Sequence, residues 1–319
     1  MKVKIYLTLL IILLLTACSN VGTANQAEVV KTVPPRKEPT SKNTQLTYTP
    51  SIEASPCPFT LPEGFTEGEN VDCGYLIVPE DRSNSDSPEI RLAVAVFHRL
   101  NSDSSENPVV YIEGGPGASA LEPLQYTISK FNPLLQAHDV IFYDQRGVGF
   151  SQPSLDCPEH ESYVKDTLTN QLRPEDTLPN LQQALTQCHQ RLVDEGIQLE
   201  MYNTLQSAAD LRDLRLALDI ESWNLYGLSY GTRVALETAR QHPEGIRSII
   251  LDSVVPPEAD PIAEAPGNVS HALETFFDAC RNNPECDAAF PNLENQFYAL
   301  IEALDSQPVT IPVENLLTG

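Results

Sequence analysis

Gly227-Leu228-Ser229-Tyr230-Gly231 sets a serine between two glycines, after the apolar run Trp223 to Tyr226 and before a helical pattern over Tyr230 to Gln241. A strand, a sharp turn and a helix in that order hold a serine hydroxyl out at an apex, where it can attack a carbonyl. The flanking glycines suit the turn because neighbouring backbone packs where a Cβ would stand. Two further glycine-rich segments lie upstream. Glu113-Gly114-Gly115-Pro116-Gly117 follows the apolar run Pro108 to Ile112. A strand that breaks into glycines leaves N–H groups free to stabilise an oxyanion. Asp144-Gln145-Arg146-Gly147-Val148-Gly149-Phe150-Ser151 follows a run from Asp139 to Tyr143. Together the three segments point to acyl transfer.

The elements that must position them alternate. Glu89 to Leu100 has partly alternating polarity and reads as a strand. Val109 to Ile112, Val140 to Tyr143 and Ile246 to Leu251 are short continuous apolar runs, suited to strands covered on both faces. Between them, Ser207 to Asp219 places Ala208, Leu211, Leu214 and Leu218 at helical spacing. Strands alternating with helices imply a mostly parallel sheet flanked by helices. After Leu251-Asp252-Ser253 the texture changes, and Pro256, Pro257, Pro261 and Pro266 mark the end of the sheet region. Ser270 to Cys280 and Asn292 to Leu304 read as helices, the second capped by Asn292.

In this order and spacing the three segments resemble the α/β-hydrolase peptidases of the prolyl iminopeptidase and tripeptidyl aminopeptidase type, over about residues 57–255. That family carries Gly-Gly-Pro-Gly after its third strand, Asp-Gln-Arg-Gly-x-Gly-x-Ser after its fourth and Gly-x-Ser-x-Gly after its fifth. Glu113 stands where the prolyl iminopeptidases usually have His, and Gly-Leu-Ser-Tyr-Gly-Thr is closer to the secreted tripeptidyl branch. The resemblance implies an α/β-hydrolase fold, a core over residues 51–255 and the start of a helical cap over 256–319. It implies Ser229 as nucleophile, with the N–H groups of Gly115 and Tyr230 as oxyanion donors. The implied substrate is a peptide with a free N-terminus, which loses one to three residues through an acyl-enzyme. A carboxylic ester would serve the same constellation.

The resemblance also implies a triad Asp and His on later strands. After Ser229 the sequence holds only His242 and His271. His242 precedes Pro243 at a helix end, where the dipole favours a solvent-facing imidazole; His271 opens a helix of the cap and reads as a surface residue. Asp252 reads as a structural strand-end residue, although some α/β-hydrolases place the triad acid there. The triad Asp and His are therefore expected beyond Gly319, and the chain reads as a fragment lacking the last core strands. By itself it is expected to be catalytically silent, and an inactive lipoprotein acting by binding is the reading from a different class. Asp144 and Arg146 are expected to be structural, since an ion pair on that loop can fix the elbow's surroundings.

Composition addresses compartment and partners. Lys2 and Lys4 precede the apolar stretch Ile5 to Leu15, too short for a permanent membrane span. Leu15-Thr16-Ala17-Cys18 resembles the bacterial lipobox, which implies a signal peptide over 1–17 and lipidation of Cys18. Residues 18–50, rich in Asn, Thr, Ser, Lys and Pro, read as a disordered tether. The implied location is an exported lipoprotein, on an outer membrane facing the periplasm or on a cell surface. Setting Cys18 aside, six of the 7 cysteines remain, and an exported protein with an even number is read as a disulfide framework. Neighbours along the chain would pair Cys57 with Cys73, Cys157 with Cys188 and Cys280 with Cys286. No histidine stands at ligand spacing beside a cysteine pair, so no metal is expected. No phosphate loop is present either, so no cofactor is expected. The net charge of −24 repels nucleic acid and anionic lipid, leaving the lipid to make the membrane attachment. Replacing Cys18 with Ser should leave the precursor unprocessed or the protein unanchored in cell fractionation. A free mature N-terminus elsewhere, on freely soluble protein, would contradict the lipid assignment.

Overall fold

Val109-Val110-Tyr111-Ile112 and Val140-Ile141-Phe142-Tyr143 are buried at every position, as strands covered on both faces must be. The computed structural model describes residues 48–311, except 102, 105, 171–173 and 310. The signal segment, Cys18 and the tether up to residue 47 lie outside the described residues. No helix among the described residues is long and apolar enough to cross a membrane.

Seven strands form one sheet: β1 (Ser51–Ala54), β2 (Val71–Pro79), β3 (Glu89–Phe97), β4 (Val109–Ile112), β5 (Val140–Tyr143), β6 (Trp223–Leu228) and β7 (Ile246–Asp252). Their order across the sheet is β1-β2-β3-β5-β4-β6-β7. β4 pairs in parallel with β5 and β6, and β6 pairs in parallel with β7. The β1–β2, β2–β3 and β3–β5 pairs are antiparallel, so only β1 and β3 oppose the common strand direction. The mostly parallel sheet is thus present, with an antiparallel flank. β7 departs from the expectation that its apolar run is covered on both faces. It pairs with β6 alone among the described residues, and Ile250 and Leu251 are exposed.

Helices cover both faces. α1 (Leu124–Thr127) and α2 (Asn132–Leu135) follow β4, and α3 (Pro158–Asn170), α4 (Pro174–Asp194) and α5 (Thr204–Ala217) follow β5. α6 (Tyr230–Gln241) follows β6, and α7 (Pro261–Arg281), α8 (Pro284–Ala289) and α9 (Leu293–Ser306) follow β7. Leu211 and Leu214 of α5 and Val234 and Ala235 of α6 pack on Leu92, Val110, Ile141 and Leu225. On the other face Leu121, Leu124, Phe131 and Leu135 pack on Phe97, Val140 and Phe142.

Two helix ends differ from the sequence expectation. α7 begins at Pro261, well before Ser270, because a proline at the first helical position sacrifices no hydrogen bond. Asp260 caps it, accepting from the N–H groups of Ile262 and Ala263. Asn292 does stand before α9, but in a left-handed conformation with no side-chain cap bond. The α3–α4 hairpin carries a disulfide from Cys157 to Cys188; Cys57 is bridged to Cys73, and Cys280 to Cys286.

A buried ion cluster ties the loops to α5. Arg146, 4 % exposed, holds Asp210 through Nε at 2.7 Å and Nη2 at 2.8 Å. Its Nη1 donates to the carbonyls of Glu80 and Met201. Asp144 is not the partner of Arg146. Arg82 joins the cluster, donating to Asp210 at 2.5 Å and to Asp213 at 2.8 Å. Tyr48, assigned to the tether from sequence, is held here instead: its hydroxyl donates to Asp213 and accepts from Arg82 and Arg212. Burial, above all, pushes that hydroxyl up to about 12. Burial opposes the ionisation of Asp210, yet Arg146 and Arg82 outweigh it and hold the carboxyl below its usual range.

Removing one partner from such a cluster strands the others in a dry interior. Arg146→Ala should therefore cost about 3–5 kcal/mol by urea denaturation, and Arg146→Lys should recover little because the two-pronged contact is lost. A lowered folded pKa gives Asp210 a stabilising term that is full above the unfolded value near ~3.9 and fades as pH falls toward the folded one. The acid limb of the stability curve should accordingly be shallower in Arg146→Ala. Equal stabilities and equal limbs would remove the structural assignment.

Candidate active site

β6 runs into Ser229, whose φ of 51° and ψ of −118° turn the chain directly into α6. A serine pays for such a conformation only where the surroundings over-determine it. Here two glycines make the turn possible. A Cβ on Gly227 would lie 2.5 Å from the carbonyl oxygen of Gly231, and one on Gly231 would collide with the carbonyl of Ile112. The Ser229 N–H donates to the carbonyl of Asp252 at 2.8 Å, which fixes the elbow to the end of β7.

Thr232 completes the lock. Its hydroxyl donates to the Ser229 carbonyl at 2.6 Å and accepts from the N–H of Val255 at 2.8 Å, in a fully buried position. Nearby, Nη2 of Arg233 donates to the carbonyls of Pro256, Pro257 and Ala259, attaching the start of the 256–311 helical region to α6. The Ser229 hydroxyl is half-buried and makes no hydrogen bond with the described residues.

The glycine-rich loop after β4 lies directly against this serine. A Cβ on Gly114 would stand 2.9 Å from Ser229 Cβ and 2.9 Å from the Leu228 carbonyl oxygen. The next residue, Gly115, has φ of 108°, where other residues are strained. The Tyr230 N–H occupies the first position of α6, where it has no intrahelical partner and the positive end of the helix dipole adds to its pull on an anion. Gly114 thus stands against Ser229 from the loop after β4, and the Tyr230 N–H follows Ser229 at the start of α6.

Glu113 clamps the glycine loop. Its Oε1 accepts from the Gly114 N–H at 2.8 Å and its Oε2 from the Tyr111 hydroxyl at 3.0 Å. The Glu113 carbonyl accepts from Gln145 Nε2 at 2.9 Å, joining the loops after β4 and β5. Asp144, fully buried, gathers Ser119 Oγ and the N–H groups of Ala120, Leu121 and Phe150. Burial still pushes its carboxyl up, despite those donors. The three sequence segments thus form one interlocked unit around Ser229.

Asp252 contributes through its main chain, and its carboxylate accepts from the Tyr226 hydroxyl at 3.0 Å. Burial first, and then Asp252, raises that phenol's pKa. All six histidines lie among the described residues, and none hydrogen-bonds Ser229. His242 is the C-cap of α6, about 20 Å from Ser229 at the usual rise per residue. Burial, with Arg212 beside it, lowers its pKa. His271 is exposed on α7.

Sequence reasoning missed Thr232, Gln145 and the double role of Glu113. Thr232 left a readable trace, because a hydroxyl three residues after a strained turn can bond back to its carbonyl. Gln145 left none, since its partner lies 32 residues away, and Glu113 left none because no residue pattern marks a carboxylate turned back on Gly114 and Tyr111. Thr232→Val keeps the shape but strips the hydroxyl, leaving the Val255 N–H unpaired. It should cost ~1–3 kcal/mol in thermal denaturation and slow phosphonate labelling of Ser229 in the complete protein, while Thr232→Ser restores both. A Val variant indistinguishable from the parent would show that the lock is dispensable.

A model of the alpha/beta hydrolase fold matches residues 107–301. A tripeptidyl aminopeptidase of Streptomyces coelicolor is 30% identical over 201 residues, which cover 60% of this chain and 36% of that protein. The serine protease Hip1 of Mycobacterium tuberculosis is 28% identical over 249 residues, 74% of this chain and 46% of that protein. A protein named carboxylesterase B, also from Mycobacterium tuberculosis, is 26% identical over 256 residues, 76% of this chain and 48% of that protein. The chain thus spans less than half the length of each of these relatives.

Proposed function

The chain belongs to the alpha/beta hydrolase family, and we propose that it carries the nucleophile of an exported serine aminopeptidase. The enzyme is anchored by lipid at Cys18 and releases one to three residues from the free N-terminus of peptides. One observation carries this reading: Ser229 sits in a strained turn at the N-terminus of α6 with the backbone of Gly114 against it. Ser229 Oγ attacks the scissile carbonyl, and the N–H groups of Gly115 and Tyr230 receive the negative charge that develops on its oxygen. Collapse of the tetrahedral intermediate expels the shortened peptide as an amine. Water then hydrolyses the acyl-serine ester. The acidic surface, with a net charge of −24, favours a substrate bearing a protonated amino group.

A serine hydroxyl needs a base to take its proton. With His242 at the far end of α6 and His271 exposed on α7, the base and its acid are assigned to residues outside these 319. The relatives named as peptidases support amide cleavage; the one named as a carboxylesterase keeps ester cleavage as the second reading. The elbow and oxyanion donors serve both.

A fluorophosphonate probe should label Ser229 rapidly in the complete protein and not at all in Ser229→Ala. A polypeptide of residues 1–319 alone should label at least ~10³-fold more slowly, since the oxyanion donors remain and the base does not. Equal labelling would place a base within these residues and overturn that assignment. Tripeptidyl p-nitroanilides with free and blocked amino groups, set against matched esters, decide the substrate. Indifference to the blocking group would eliminate the aminopeptidase.

A further inference from the structure

A cavity of about 250 Å³ lies beside the elbow, between Pro116 and Gly117 of the glycine loop, Val148 and Leu155 after β5, and the rings of Tyr202 and Tyr230. Tyr230 relates it to the chemistry: the residue whose N–H faces the oxyanion also supplies a wall of the cavity. Its hydroxyl is held against Thr204 Oγ1 at 2.9 Å, so the ring is a fixed partition. The side toward Gly117 is open, with nothing within 4 Å of where a Cβ would stand. Ser207 lines the cavity at 4 % exposure.

The charge available there is already committed. Arg146 reaches the lining, but its guanidinium is engaged by Asp210 and by the carbonyls of Glu80 and Met201. Asp156 stands exposed at the rim. An anionic group would meet that carboxylate without gaining a free cation. The rest of the lining is uncharged: Pro116, Val148, Leu155 and the two tyrosine rings supply apolar surface, and Gln145, Asn203 and Ser207 supply polar groups. In volume, an apolar cavity of about 150 Å³ already admits a benzene ring.

We propose that this cavity is the subsite for the side chain of the residue whose carbonyl Ser229 attacks, and that it takes an uncharged aliphatic or aromatic group. The proposal rests on the serine hydrolase reading above and adds to it a specificity determinant, Leu155. This side chain is half-buried, lines the cavity and packs where a Cβ on Gly147 would stand.

The test compares the complete protein with its Leu155→Trp and Leu155→Ala variants. The substrates are p-nitroanilides with a free amino group whose final acyl residue is alanine, leucine, phenylalanine or naphthylalanine, together with matched esters. In the parent, kcat/KM should favour phenylalanine or leucine over alanine by about tenfold or more, the discrimination a hydrophobic pocket supplies. Leu155→Trp fills the cavity and should lower the phenylalanine-to-alanine ratio about tenfold. Leu155→Ala, which folds if the bulky variant does not, should raise the ratio for a naphthyl side chain. Ratios constant within about twofold in Leu155→Ala, or ratios that respond only to the leaving-side residue, overturn the subsite. Ester turnover without amide turnover would count against the peptidase instead, and the ester ratios would still decide the subsite.

Discussion

No side chain fits between the carbonyl of Ile112 and the backbone of Gly231. That single close approach sets the first turn of α6 down on the end of β4, and the rest of the site inherits its position. With α6 against β4, the loop leaving β4 has nowhere to run except past Ser229, and Gly114 is needed where it passes. Gly114 and Ser229 are over a hundred residues apart in sequence, yet their spacing is fixed by backbone contact, which is the stiffest contact a protein offers. Side-chain packing tolerates substitution by adjusting rotamers, whereas two main chains in contact have no rotamers to adjust.

Around that contact the polar groups are arranged in closed sets. Asp144 and Thr232 join segments remote in sequence through side-chain oxygens, and Glu113 does so through its carbonyl while its carboxylate holds Gly114 and Tyr111. Buried polar atoms cost most when they are left half-paired, so closed sets rigidify without a penalty from orphaned groups. Two exceptions stand among the described residues: the Tyr143 hydroxyl and Arg233 Nε are buried without partners.

The sequence made the strands β3 to β7 and the helices α5 and α6 readable, because their apolar runs are continuous or regularly spaced. It also placed Ser229 at its turn, since glycine spacing records backbone proximity directly. What it concealed follows from physics that a single chain does not display. Pro261 reads only as marking the end of the sheet region, although the first helical position accepts proline without losing a bond. The partner of Arg146 could not be read because Asp210 lies 64 residues away on a helix whose buried face carries charge. Ile250 and Leu251 had the composition of interior residues, yet they are exposed on a strand that pairs with β6 alone among the described residues. The loop after β4 was visible as glycines, but the carboxylate that clamps it was not.

Tyr48 gives the molecule a mechanical property. Its hydroxyl is gripped by Asp213, Arg82 and Arg212 before β1 begins. β1 is only four residues long and lies at the sheet edge, the strand most easily peeled. A pull on the preceding segment meets the ion cluster first and is passed into α5, so the edge strand is spared. The grip acts as a strain relief, like the collar on a cable: tension from the N-terminal side is dissipated in α5, away from the turn that holds Ser229.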